Sequence, residues 1–382
     1  MDDGDVTAHN GAGEQMGKRS TVRVPPRVVR VLVVTPVVFV ATGAVTLLAP
    51  LLHAALALVD LLDRMRWRFT RIGGLGIALC VCEFLGLLAT FGLWVASGFG
   101  LGMRTRTMQR AHNRVFGWWL EAVTRALRFY LGFDFVLSTT ERIFGPVLTF
   151  ARHAGPGDAF LLARTVIQDY RRQLRMVGAT KLLWDPFISH MMLRLPHHFL
   201  DPDPTDPAAD LEAIERLCAT MDDDSVLIIF PEGGNWTPRR WQGAIDALHE
   251  SGRAERADRA TRMTHVLPPR VAGAAAALHA RNDLTVVFVV HVGLGDLHSL
   301  RQIWRSIPLE REVRATYWSV PAEELPTDSS DVGDWLFEQW VEVDAWISAN
   351  RPAVYGTGAT GLRSRGSRTS RARSRSTARR SR

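Results

Sequence analysis

Two long apolar runs dominate the first hundred residues. Positions 31–62 are interrupted only by Pro36, Pro50, His53 and Asp60, and positions 73–100 hold Glu83 as their only charge. A straight helix rises about 1.5 Å per residue, so the first run far exceeds a hydrocarbon core of about 30 Å. It predicts either a strongly tilted span or a hairpin bent near Pro50. From about residue 105 the pattern changes to short apolar stretches alternating with amphipathic ones. Strands are predicted over 146–151, 226–230, 284–292 and 313–320. Helices are predicted over 159–175, 182–195, 208–221, 238–251 and 332–349, with breaker-rich loops at 201–204 and 324–331. That alternation predicts an α/β domain.

Charge refines the picture of the apolar runs. Arginines flank them on every side: Arg19, Arg23, Arg27 and Arg30 before, Arg64, Arg66, Arg68 and Arg71 between, Arg104, Arg106, Arg110 and Arg114 after. Two simple spans would strand the middle cluster on the far side of the membrane. Runs that return to one face, or lie partly in the interface, suit the charges better. The first run is too long for a cleaved signal peptide. The expectation is therefore a membrane protein whose catalytic domain faces the cytoplasm. Four regions follow: a disordered basic N-terminus (1–30), membrane-associated helices (31–104), a catalytic domain (105–350) and a disordered Arg/Ser-rich tail (351–382).

Nine arginines lie between Arg363 and Arg382 and no acid follows Asp344, so the net charge of +7 belongs to the tail. Such a tail suits an anionic leaflet. It has no aromatic residue to stack on bases, so nucleic acid is not an expected partner. Cys80, Cys82 and Cys218 make no disulfide framework.

The densest chemistry lies where the 146–151 strand ends. His153, Gly155, Pro156, Gly157 and Asp158 follow it. On a continuous helix residues five apart point to different faces. A glycine-bearing turn removes that problem, because Gly155 and Gly157 tolerate unusual backbone angles. Asp158 then folds back from a helix N-terminus. By accepting the N–H of one His153 nitrogen it fixes the tautomer and leaves the other nitrogen as a base.

A second anchor reads Phe230-Pro231-Glu232-Gly233-Gly234-Asn235-Trp236-Thr237-Pro238. It puts Glu232 on a loop after a buried strand, where α/β sheets hold ligands. Gly233 and Gly234 permit close backbone approach to a substrate. Thr237 and Pro238 read as the N-cap and first position of a helix. Arg239 and Arg240 oppose that helix's dipole, which suits an anion partner or a solvated pair. In the third anchor Pro268 and Pro269 pin an extended segment, and Arg270 leads into an alanine-rich helix.

In this order the three anchors resemble the acyl-glycerol-phosphate acyltransferase (lysophospholipid acyltransferase) family. His153 and Asp158 match its catalytic histidine–aspartate motif, Phe230-Pro231-Glu232-Gly233 its phenylalanine-proline-glutamate-glycine motif, and Leu267-Pro268-Pro269-Arg270 its proline block. Lys181-Leu182-Leu183 with Pro186, and Trp318-Ser319-Val320-Pro321, are similar to the branch holding eukaryotic lysophosphatidic acid and lysocardiolipin acyltransferases.

The resemblance implies a mixed α/β sheet flanked by helices, with N-terminal membrane helices. It implies acyl transfer from a thioester, acyl-CoA or acyl carrier protein as cosubstrate, to a lysophospholipid hydroxyl, with 1-acyl-glycerol-3-phosphate the expected acceptor. His153 would act as base and Asp158 as its orienter. Glu232, Gly233, Gly234, Asn235, Arg239, Pro269 and Arg270 would meet substrate. No metal or further cofactor is implied, and His197 and His198 are adjacent rather than a helical turn apart, which does not suit a metal pair.

The chain departs from the family pattern at three places. Arg152 stands where asparagine is usual, Gly234 where a hydroxyl residue is usual, and the block 195–202 lacks the expected phosphate-binding arginine, leaving Arg194, Arg239 or Arg270 to replace it. These departures motivate a rival reading, a catalytically inactive lipid-binding or scaffold protein. A serine elbow is absent, and Cys218 has no activating neighbour in sequence.

Overall fold

The computed structural model describes residues 24–63, 67–139, 141–155, 157–201, 206–294, 304, 307, 311–326 and 328–355. Arg19, Arg23, Arg64, Arg66, Pro156 and residues 356–382 of the Arg/Ser tail lie outside the described residues, whereas 351–355, expected to be disordered, end a helix.

The first apolar run is one helix, α1, formed by Arg27–Val29, a π-helical turn over Arg30–Val34, and Thr35–Asp63. Pro50 lies inside it, so the predicted break there does not occur. The chain reverses after residue 63, and Trp67, at φ 61°, leads into α2 (Arg68–Ala96). Asp60, the odd charge in the run, has a local purpose. Its two carboxylate oxygens accept the N–H groups of Phe69 and Thr70 at 3.1 and 2.6 Å, which the first turn of a helix leaves without partners.

The two helices differ in burial. Their most apolar windows have mean hydropathies of 2.4 and 2.1, but 6% of the α1 window is buried against 33% of that in α2. Helix α2 is held along the catalytic domain: Glu83 accepts the N–H of Phe187 at 3.0 Å, and Gly86 lies under the Phe187 ring, where a Cβ would come within 2.7 Å. Farther toward its start, Gly74 lies equally close under Tyr130 of α3 (Arg106–Leu131).

The domain beyond α3 is built on seven strands: β1 (Phe133–Leu137), β2 (Val147–Ala151), β3 (Gln173–Ala179), β4 (His198–Leu200), β5 (Ser225–Ile229), β6 (Thr285–Val292) and β7 (Arg311–Val320). Their order is β1-β7-β6-β2-β5-β3-β4, and every neighbouring pair is parallel except β6 with β7. Strands β2 and β5 are buried at every position, as expected where helices cover both faces. One face carries α6 (Pro207–Ala219), α7 (Pro238–Glu250), α8 (Ala254–Arg262), α9 (Val271–His279) and α10 (Ser329–Tyr355). The other carries α2, α3, α4 (Asp158–Arg164) and α5 (Pro186–Arg194).

The helix predicted over 159–175 is therefore two elements. Helix α4 passes into a π-turn at Thr165–Asp169, and β3 follows at once. Arg171 makes that break at φ 60°, a left-handed position that glycine usually fills. The helix predicted over 182–195 is likewise divided into a 3-10 turn, Thr180–Trp184, and α5.

Candidate active site

Parallel strands β5, β2 and β6 stand side by side, and their C-terminal ends deliver Glu232, His153 and His291 to one edge of the sheet. Ligands in open α/β sheets bind at that edge.

His153 Nδ1 lies 3.1 and 3.0 Å from the two oxygens of Asp158. Asp158 is at the first position of α4, and its carboxylate is held by backbone as well. Oδ2 accepts the N–H groups of Ala154 (2.7 Å) and Gly155 (3.0 Å), and Oδ1 that of Ala159 (2.7 Å). Burial would push this carboxyl up, but the hydrogen bonds and charges of His153 and His291 outweigh burial and hold it well below the usual carboxylate range. A fixed anion at Nδ1 puts the His153 proton there, and Nε2 is left with a free lone pair. No described residue bonds to Nε2. The ring lies against Phe230, with centroids 4.9 Å apart.

The turn works differently from the sequence expectation. Neither Gly155 nor Gly157 has a positive φ. Gly155 is needed for space, since a Cβ there would lie 3.3 Å from the Leu294 carbonyl, whereas at Gly157 it would meet nothing.

Glu232 is committed to backbone donors. It is 3% exposed, and its oxygens accept the N–H groups of His153 (2.8 Å) and Leu267 (2.9 Å). Burial pushes its carboxyl up to about 7, against the opposing fields of Arg152 and these donors. The carboxylate forms a brace that ties the His153 loop to the proline block. Pro269 is buried in that block, and the Arg270 N–H donates to Pro231 O at 2.8 Å, closing the brace.

The exposed wall of the site is the glycine loop. Gly233 has φ +64°, and a Cβ there would fall 2.8 Å from Arg270 Nε, so the guanidinium lies directly over it. Gly234 sits under Arg240, whose Nη1 also donates to Asn235 O at 3.1 Å. Arg239 is exposed and bonds to no described residue. Arg194 is bound to Thr90 O on α2 at 2.9 Å, away from this loop. Two cations, Arg270 and Arg240, thus frame the loop.

Two residues outside the predicted site complete the centre. Arg152 is buried and donates to His291 O (2.7 Å) and His265 O (3.2 Å). His291 is buried, with Nε2 3.7 Å from Asp158 Oδ2. It was unreadable because a lone histidine in an apolar strand carries no pattern. Beside Asp158 and His291 opens a cavity with about 800 Å³ of atom-free space, counting its mouth. Its walls are mostly apolar, among them Val147, Leu161, Val287 and Val313. Cys218 is excluded as a nucleophile, because burial pushes its thiol up to about 12.

No curated protein matches the chain. Among solved structures it is similar to the 1-acyl-sn-glycerophosphate (LPA) acyltransferase PlsC from Thermotoga maritima. The identity is 16% and the TM-score 0.41, over 69% of this chain and 98% of that one. Residues 137–270 match the family model described as Acyltransferase. The histidine–aspartate pair, the glutamate brace and the glycine loop all lie within the matched residues.

Proposed function

We propose that this protein acylates the free hydroxyl of a lysophospholipid, 1-acyl-glycerol-3-phosphate in the first instance, using an acyl thioester at a membrane surface. The observation that carries this reading is the His153–Asp158 pair with Nε2 uncommitted, beside a glycine loop framed by Arg270 and Arg240. Nε2 takes the proton of the acceptor hydroxyl as its oxygen attacks the thioester carbonyl. The tetrahedral adduct collapses with loss of the thiolate, which recovers that proton from His153. Asp158 supports the imidazolium formed in between. No covalent acyl-enzyme is needed.

Few of the nearby backbone N–H groups are free to hold the oxyanion. The proline block cannot supply backbone N–H groups, since those of Leu267 and Arg270 are spent on Glu232 and Pro231 and the two prolines have none. The N–H groups of Gly234 and Asn235 have no partner among the described residues and remain for it. Arg270 and Arg240 suit the acceptor phosphate in place of the missing family arginine. The apolar cavity beside Asp158 and His291 suits the acyl chain.

Membrane contact through α1 follows from its exposed apolar surface. The contacts of α2 with the domain at Gly74, Gly86 and Thr90 support a hairpin lying along the membrane surface rather than two spans clear of the domain. The test is acyl transfer by the purified full-length protein across a panel of lysophospholipids, with acyl-CoA and acyl carrier protein donors. Binding without turnover across the panel would favour the inactive, lipid-binding reading.

A further inference from the structure

The leading end of α1 is cationic and docked on the domain. Arg27 and Arg30 are three residues apart and so share a helix face. Arg30 Nη1 donates to Ser189 Oγ at 2.8 Å and Leu183 O at 3.3 Å, on and just before α5. The π-turn that follows, a distortion that recurs at functional sites, brings Thr35 to the same side. Its hydroxyl meets His190 Nε2 at 3.1 Å. His190 and Arg194 lie four apart on α5, and Arg194 is anchored to Thr90 O. Thus Arg30 and Arg194 flank the His190 imidazole, and Arg27 lies one helical turn from Arg30.

No carboxylate pairs with these three arginines among the described residues. Glu83 and Asp185, on the same flank, accept the backbone N–H groups of Phe187 and Ile188 instead. Burial, and then the fields of Arg194, Arg27 and Arg30, push the His190 imidazole down to about 4. An uncompensated cluster of this kind suits an anion.

Its depth is marked independently. Phe91, Trp94 and Phe99 form a chain of ring contacts at 5.8 and 5.1 Å, beginning next to Thr90. Aromatic residues at the end of an apolar helix mark the lipid–water boundary. The cluster also lies on the α5 face of the sheet, opposite the α9 face that Arg270 leads into.

We propose that Arg27, Arg30 and Arg194 bind the phosphate headgroup of an anionic membrane phospholipid, at a site separate from the acceptor site. This rests on the membrane reading of α1. The test floats the full-length protein with vesicles of phosphatidylcholine alone, or of phosphatidylcholine mixed with phosphatidylglycerol.

Wild type should favour the mixed vesicles. Each of Arg27→Gln, Arg30→Gln and Arg194→Gln should weaken that partition about fivefold, as a contribution of about 1 kcal/mol per arginine implies, with neutral vesicles unaffected. Arg27 makes no side-chain hydrogen bond among the described residues, so its variant separates charge from folding. Arg125→Gln, on α3, should change nothing. Equal floating of wild type with both vesicles, or an undiminished preference in the triple variant, overturns the proposal alone. Failure to float with either vesicle removes the membrane reading and this proposal with it.

Imidazole NMR, assigned with His190→Gln, separates lipid from free phosphate. Short-chain phosphatidylglycerol should raise the His190 pKa. An equal rise with inorganic phosphate at the same concentration, or no rise with the lipid, overturns the assignment to a lipid headgroup.

Discussion

Glu232 accepts the backbone N–H of His153 at 2.8 Å across 79 positions of sequence. Its other oxygen holds Leu267, so one buried carboxylate sets the spacing of two loops. Glutamine can accept through only one atom, and its NH2 group would face a backbone donor. Glu232→Gln should cost about 1–3 kcal/mol of stability and lower kcat more than it raises KM, because it displaces the base. Thermal unfolding and steady-state kinetics check both.

The same carboxyl has a stability signature in pH. Its folded pKa, about 7, is raised from an unfolded value near 4.3. A raised acid contributes stability that is complete below the unfolded pKa and is lost as pH rises through the folded one. Denaturant unfolding from pH 4 to 8 should show this decline in wild type, and Glu232→Gln should flatten it.

Asp158 carries the opposite sign. Its folded pKa is depressed, so its contribution is present above the unfolded value near 3.9 and is lost only as pH falls below about 4. Asp158 should therefore stay ionised across the pH range above about 4 in which activity is measured. Asp158→Asn should reduce turnover by about 10²–10⁴ and remove the stability loss below pH 4.

The glycines offer a matched pair. Gly233→Ala forces a Cβ at φ +64° and against Arg270, and should cost about 1–2 kcal/mol with a raised KM for a phosphorylated acceptor. Gly157→Ala meets open space at φ −100° and should be neutral or stabilising by about 0.4–1 kcal/mol. Thermal shifts of the two proteins compare them directly.

The legible parts of the chain were those with local punctuation. The strand into His153, the turn to Asp158, and Thr237 and Pro238 opening α7 all carry residue types that impose their geometry. Strand β3 was hidden because Arg171, rather than glycine, ends the preceding helix. Pro50 misled because the helix runs through it without a break. Glu232 looked like a ligand because it follows a strand end in a glycine loop. Only the fold shows that its partners are N–H groups from two distant segments. His291 and Arg152 meet through strand pairing between β2 and β6, a long-range relationship without a local pattern.

The most direct measurement is transfer of a labelled acyl group from acyl-CoA to 1-acyl-glycerol-3-phosphate by the purified full-length protein, with His153→Ala beside it. Wild type should form the diacyl product, and His153→Ala should be slower by about 10²–10⁴ while still folded. Undiminished turnover in His153→Ala, or no product from wild type with any lysophospholipid and thioester pair, would contradict the role of His153 as the base.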